Sequence, residues 1–161
     1  MSNEQLDPRP SPAHEFRADG PGAILVGVDG STSSMRAAAY AAGLARRQRC
    51  RLIAVYVRKG SPAMVPLSDD SGAAALTAIE AQDEVEREIR EAFEAHVPEL
   101  GIDARLVVRT GEPYTELTAA ARESQADAVI VGRSAKVLHR IAGSLAVKLV
   151  RFGHWPVTVV P

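Results

Sequence analysis

The stretch Ala23-Ile24-Leu25-Val26-Gly27-Val28-Asp29-Gly30-Ser31 decides the fold class. Its nearly unbroken aliphatic run suits a strand buried on both faces, as in sheets covered by helices on each side. The acid and the Gly-Ser step that end it are turn formers, and Ser31-Thr32-Ser33-Ser34 supplies N-cap chemistry for a following helix. Met35 to Arg47 is alanine-rich with good helix propensity, and Arg51 to Val57 (RLIAVYV) returns to strand character. Strand, helix and strand in that order form a βαβ unit, which implies a parallel sheet.

Outward from this unit the alternation continues. A polar, proline-containing loop over roughly 58–71 leads to a helix expected from 72 to 96, with Ile79, Val85, Ile89 and Phe93 on one broad face. Asp83 with Arg87 and Glu86 with Arg90 have the i,i+4 spacing of exposed ion pairs, and Pro98 with Gly101 should close the helix. A third strand is expected over 102–109. Glu112 precedes Pro113 where a helix accepts proline and a first-turn acid, and the helix over 114–124 should turn Leu117 and Ala121 inward. A fourth strand over 127–131 (DAVIV), a helix over 143–151 and a last strand over 156–160 complete the chain. Five strands and four helices in strict alternation predict an α/β fold, a three-layer, doubly wound open sheet of mainly parallel strands. No fixed-period repeat suggests a solenoid.

The chain has 161 residues, the length of one ordinary domain. Hydrophobic residues make up 46% and aromatic residues only 4%, so aliphatic side chains and alanine must build the core. With 19 basic and 20 acidic residues the net charge is -1, which lacks the electrostatic footprint of a nucleic-acid binder. Any bound anion must be captured locally. The single cysteine, Cys50, cannot form an intramolecular disulfide and fits a reducing compartment, so cytoplasm is the expected location. Residues 1–21 hold Pro8, Pro10, Pro12 and Pro21 and no apolar segment, and read as a disordered leader before a domain spanning 22–161, with no membrane span. His14, His96, His139 and His154 have no metal-ligand spacing. No nucleophile–base set stands out, so enzymatic turnover is not expected.

Ligands of open parallel α/β sheets bind beyond the carboxyl ends of the strands, where strand order reverses. Two segments carry suitable chemistry: Gly27 to Ser31, and Val131-Gly132-Arg133-Ser134-Ala135-Lys136 running on to Gly143-Ser144 at a helix start. Free amides at that helix start attract phosphate, Gly143 permits close backbone approach, and Arg133, Lys136 and Arg140 add positive charge. The plainer alternative is that these glycines and Asp29 only form turns, and that the charged loop is merely solvated.

From about Ala23 to the end, the chain resembles the universal stress protein family. The resemblance rests on ILVGVDGS with Asp29 at the strand end, on Val108 to Gly132 (VRTGEPYTELTAAARESQADAVIVG), on Gly143-Ser144, and on the closing WPVTVVP. It implies a five-stranded α/β fold and, in the nucleotide-binding branch, a loop of the form G-x2-G-x9-G-[ST]. Gly132 matches its first glycine and Gly143-Ser144 its closing pair, whereas Ala135 stands at the second glycine and Lys136 to Ala142 is two residues shorter than the pattern. The resemblance further implies that the glycines, Ser144 and Leu145 approach phosphates, Asp29 the ribose, and Val57 the adenine, with ATP or another adenine nucleotide as ligand and Mg as its companion. Gly27, Val131 and Arg133 border the same place. A family member is expected to pair its last strand, here 156–160, with that of a second copy, and to act on an unidentified protein partner. The rival expectation is a protein-interaction module whose phosphate loop has decayed; a third is slow nucleotide hydrolysis, for which Asp29 is the only base on offer.

Overall fold

The structure is a computed structural model that describes residues 22–60, 71–133 and 145–161. Its strands are β1 (Ala23–Val28), β2 (Arg51–Arg58), β3 (Ala104–Thr110), β4 (Ala126–Gly132) and β5 (Val157–Val160). They form one sheet in the order β3-β2-β1-β4-β5, with every neighbouring pair parallel. The helices are α1 (Thr32–Gln48), α2 (Ser71–Leu100), α3 (Pro113–Glu123) and α4 (Leu145–Phe152). The expected alternation is thus present. The expected leader lies outside the described residues.

Alternate residues of β1 divide the core into two layers, because successive strand side chains point to opposite faces. Ile24, Val26 and Val28 join Leu52, Ala54, Tyr56 and Ile130 beneath α1 and α2. Ala23 and Leu25 join Ile53, Val55, Val129 and Val131 beneath α3 and α4. Strand order reverses at β1: the chain steps outward through β2 to β3, then crosses to β4 on β1's other side.

Local chemistry sets the helix ends. Ser31 caps α1 by accepting a hydrogen bond from Ser34 N, and Arg49 ends the helix in a left-handed conformation. Glu112 caps α3 by accepting from Thr115 N, with Pro113 in the first turn. Glu112, expected as an acid at this helix start, therefore acts as its cap.

Two expectations about α2 are corrected. The helix does not stop near His96 but runs through Pro98 to Leu100, where Gly101 turns out with φ of +62°. Leu100 and Ile102 pack against the first core layer, and that burial holds the last turn despite the amide missing at proline. Asp83 does not pair with Arg87. It pairs instead with Arg58 at 2.5 Å, while Arg87 takes Glu84 and Glu91. The expected Glu86–Arg90 pair forms at 2.9 Å, and Glu86 also reaches Arg58 at 2.9 Å. The acidic face is thus partly a clamp that fastens α2 to the end of β2.

Candidate functional site

The carboxyl ends of β1 and β4 lie side by side, with Gly27 in register with Val131. Val57 lies at the same edge, one residue beyond the β1–β2 ladder's last pair, Val28 and Tyr56. This is the position where α/β sheets of this winding open a crevice. Gly27, Asp29, Val57, Val131, Gly132 and Arg133 are therefore brought together on one edge. Ala135, Gly143 and Ser144 lie outside the described residues, as do Lys136, His139 and Arg140.

Asp29 begins a compact turn. Its Oδ1 accepts from Ser31 N at 3.0 Å and from Ser31 Oγ at 2.6 Å, so both bonds fall on one carboxylate oxygen. Partial burial works to raise the carboxyl's pKa, but the Ser31 bonds and weaker ones behind them together hold it below the ordinary aspartate value. The group stays ionised near neutrality. Gly30 adopts φ of +79°, a conformation that glycine enters without penalty, and Val85 of α2 lies 3.0 Å from where a Cβ would stand.

The serines behind the turn do more than cap. Ser34 is buried, accepts from Asp29 N at 3.2 Å and donates to Ser31 O at 2.9 Å, so its hydroxyl is satisfied on both sides. Ser33 Oγ donates to Arg133 O at 2.7 Å, which ties the first turn of α1 to the end of β4. Arg133 N in turn donates to Val160 O at 2.7 Å, carrying the same strand end to β5. Gly132 fits between them: a Cβ there would lie 2.6 Å from both Ser33 C and Ser34 N. Its lack of a side chain is required by α1 before any ligand is considered.

Two expected site residues contribute through packing. Val57 is half-buried against the second core layer, and so is Leu145 at the first turn of α4. Gly27 has Leu117 and Val131 side chains 3.3 to 3.4 Å from a would-be Cβ, so α3 also closes on this strand. Read locally, Ser31 to Ser34 carry only capping chemistry; the bridge from Ser33 to Arg133 joins residues 100 apart in the chain. Its only sequence signal was a fourth polar residue in a run where one cap suffices.

Near α4, Lys148 Nζ donates to Glu112 Oε1 at 3.1 Å and Tyr114 Oη donates to Phe152 O at 3.1 Å, so α4 is anchored to the start of α3. Among the described residues no group of three or more His, Cys, Asp or Glu is placed to hold a metal ion. No helix among them is long and apolar enough to cross a membrane.

The sheet order, the parallel strands and the paired strand ends define a doubly wound α/β protein with its candidate crevice between β1 and β4. The sequence model of the universal stress protein family matches residues 22–161, and the chain belongs to that family. It is 29% identical over 139 residues to a universal stress protein of Methanocaldococcus jannaschii, covering 85% of this chain and 80% of that one. The fold is similar to that of UspA from Lactobacillus plantarum, with a TM-score of 0.69, 22% identity, and coverage of 88% and 98% of the two chains. It is also similar to a universal stress protein solved in complex with cAMP, with a TM-score of 0.63, 24% identity, and coverage of 89% and 99%.

Proposed function

We propose that this chain is a stress-response protein that binds an adenine nucleotide in the crevice between the carboxyl ends of β1 and β4. The carrying observation is the juxtaposition of the ionised Asp29 turn with Gly132 and Arg133 at the reversal of strand order. Asp29 keeps Oδ2 for a ribose hydroxyl or for magnesium, since Ser31 engages only Oδ1. Val57 offers an apolar edge for the base, and the segment through Gly143-Ser144 to Leu145 supplies phosphate donors at the start of α4. A similar fold with cAMP bound supports an adenine ligand. ATP, ADP, AMP and cAMP titrated calorimetrically with and without magnesium test the reading. Heat from at least one is expected, with Gly143→Val abolishing it; no heat from any at saturating concentration overturns it.

A protein-interaction module without nucleotide is the second reading. It is favoured by Ala135 and the shortened loop, and by the fact that contact with α1 already accounts for Gly132. In either reading the chain acts as a two-fold dimer through β5. That strand is a sheet edge with Val159 exposed, and an edge of unpaired backbone groups invites a second copy.

A further inference from the structure

A second candidate site lies away from the crevice, on the sheet face covered by α1 and α2. A cavity of about 360 Å³ is lined by these two helices and by β1 and β2. From α1 it receives Met35, Ala38, Ala39 and Ala42, an i, i+3, i+4, i+7 stripe that faces the gap. A matching stripe of α2 runs from Ile89 through Phe93 and Val97 to Leu100. The floor is Val26 and Val28 of β1 with Leu52 and Ala54 of β2.

Protein interiors leave few voids larger than a water molecule, whereas small-molecule sites start at about 300 Å³. A dry apolar cavity of about 150 Å³ already admits benzene, so this one has room for a molecule roughly twice that size. Its lining on α2, at about 1.5 Å per residue, extends roughly 16 Å from Ile89 to Leu100. A lining of that length suits a chain better than a compact ring. The alanines of α1 keep it open, because none carries a side chain long enough to cross the gap.

Among the described residues His96 is the only lining residue with a polar side chain, and it is exposed. Its Nδ1 lies 2.7 Å from Ala92 O, and since a carbonyl only accepts, Nδ1 carries the proton there. Nε2 is left to meet a ligand. We infer that the cavity between α1 and α2 binds one unbranched aliphatic chain with a single polar end, the chain lying along α2 and the polar end at His96. A fatty alcohol and a fatty acid share this chemistry: a hydroxyl can donate to Nε2 of a neutral ring, and a carboxylate can accept from a protonated one. The site shares no residue with the proposed nucleotide crevice, so either can fail alone.

The test titrates the full chain calorimetrically with decan-1-ol and with decanoate, each kept below micelle formation. One-to-one binding of at least one is expected. Ala39→Phe introduces bulk at an exposed lining position, and Ala92→Leu does so at a half-buried one on the opposite helix. Each should weaken binding about tenfold or more, a change of roughly 1.4 kcal/mol. Circular dichroism and unaltered calorimetric behaviour toward ATP check that the fold is intact. The tighter of the two ligands identifies the polar end, and His96→Ala should erase the preference between them. The inference is overturned if neither ligand binds, if binding persists undiminished in both bulky variants, or if the preference survives His96→Ala. Occupation of the cavity by another part of this chain or by a second copy would register as the first of these outcomes.

Discussion

The two faces of the sheet are built from different materials. Beneath α3 and α4 the helices contribute leucines: Leu117 and Leu149 are fully buried against Leu25, Val55 and Val129. Beneath α1 and α2 the long helix buries only Ile89 among its described side chains, and α1 buries Ala37, Ala41, Ala42 and Ala45. Alanine lets a helix approach the sheet closely but buries little area per residue, and hydrophobic stabilisation scales with area. The alanine face compensates at one end. Its helix is fixed by polar contacts at the first turn, where Ser31, Ser33 and Ser34 join Asp29 to Arg133. One face is held by bulk and the other by a latch, and the latch sits at the candidate crevice.

The contrast can be broken most severely on the leucine face. Leu117→Ala removes a side chain that is 2% exposed and should cost about 2–5 kcal/mol in chemical denaturation, through lost transfer energy and a residual cavity. A loss below the cost of truncating Phe93, which already borders the open cavity, would contradict the assignment of bulk to this face. Gly132→Ala attacks the latch. Its Cβ meets backbone at 2.6 Å, which cannot rotate away, so a destabilisation of about 1–3 kcal/mol is expected together with weaker nucleotide binding. A variant as stable as the parent would mean that α1 shifts freely on β4.

Asp29→Ala gives the smallest effect, about 1 kcal/mol for the lost turn bonds. Its pH dependence sharpens the comparison. The Asp29 carboxyl is held below its ordinary value of 3.8, so its contribution is complete above the unfolded value and is lost as pH falls through the folded one. The stability gap between parent and variant should therefore be constant near neutrality and close in acid. A gap that widens on acidification would show that the carboxylate does not stabilise the turn. Leu117→Ala, with no titrating group, should show no such closure.

Much of the architecture could be read along the chain. Hydrophobic runs such as Ala23 to Val28 and Arg51 to Val57 mark strands because burial on both faces demands continuous apolar character. Pro113 and the Ser31 cap mark helix starts because those positions have unsatisfied amides. The end of α2 was not legible: Pro98 is a local stop signal, and the packing of Leu100 outweighs it. The partner of Asp83 was not legible either, since Arg58 is 25 residues away in sequence and is brought near only by the crossover. Asp29 and Gly132 could be singled out from their neighbours, but the reason Gly132 must be glycine, contact with Ser33 and Ser34, lies about a hundred residues upstream in the chain.

By itself the sequence determined the alternation of elements, the apolar strands and the two polar strand ends, because periodicity, capping and turn chemistry act over a few residues. Only the tertiary structure decided that those ends meet, that Ser33 of α1 bonds to Arg133 at the end of β4, and that the alanine stripe of α1 and the apolar stripe of α2 border a cavity. These depend on strand order and on side chains approaching across long separations. No local preference encodes them until the sheet has formed.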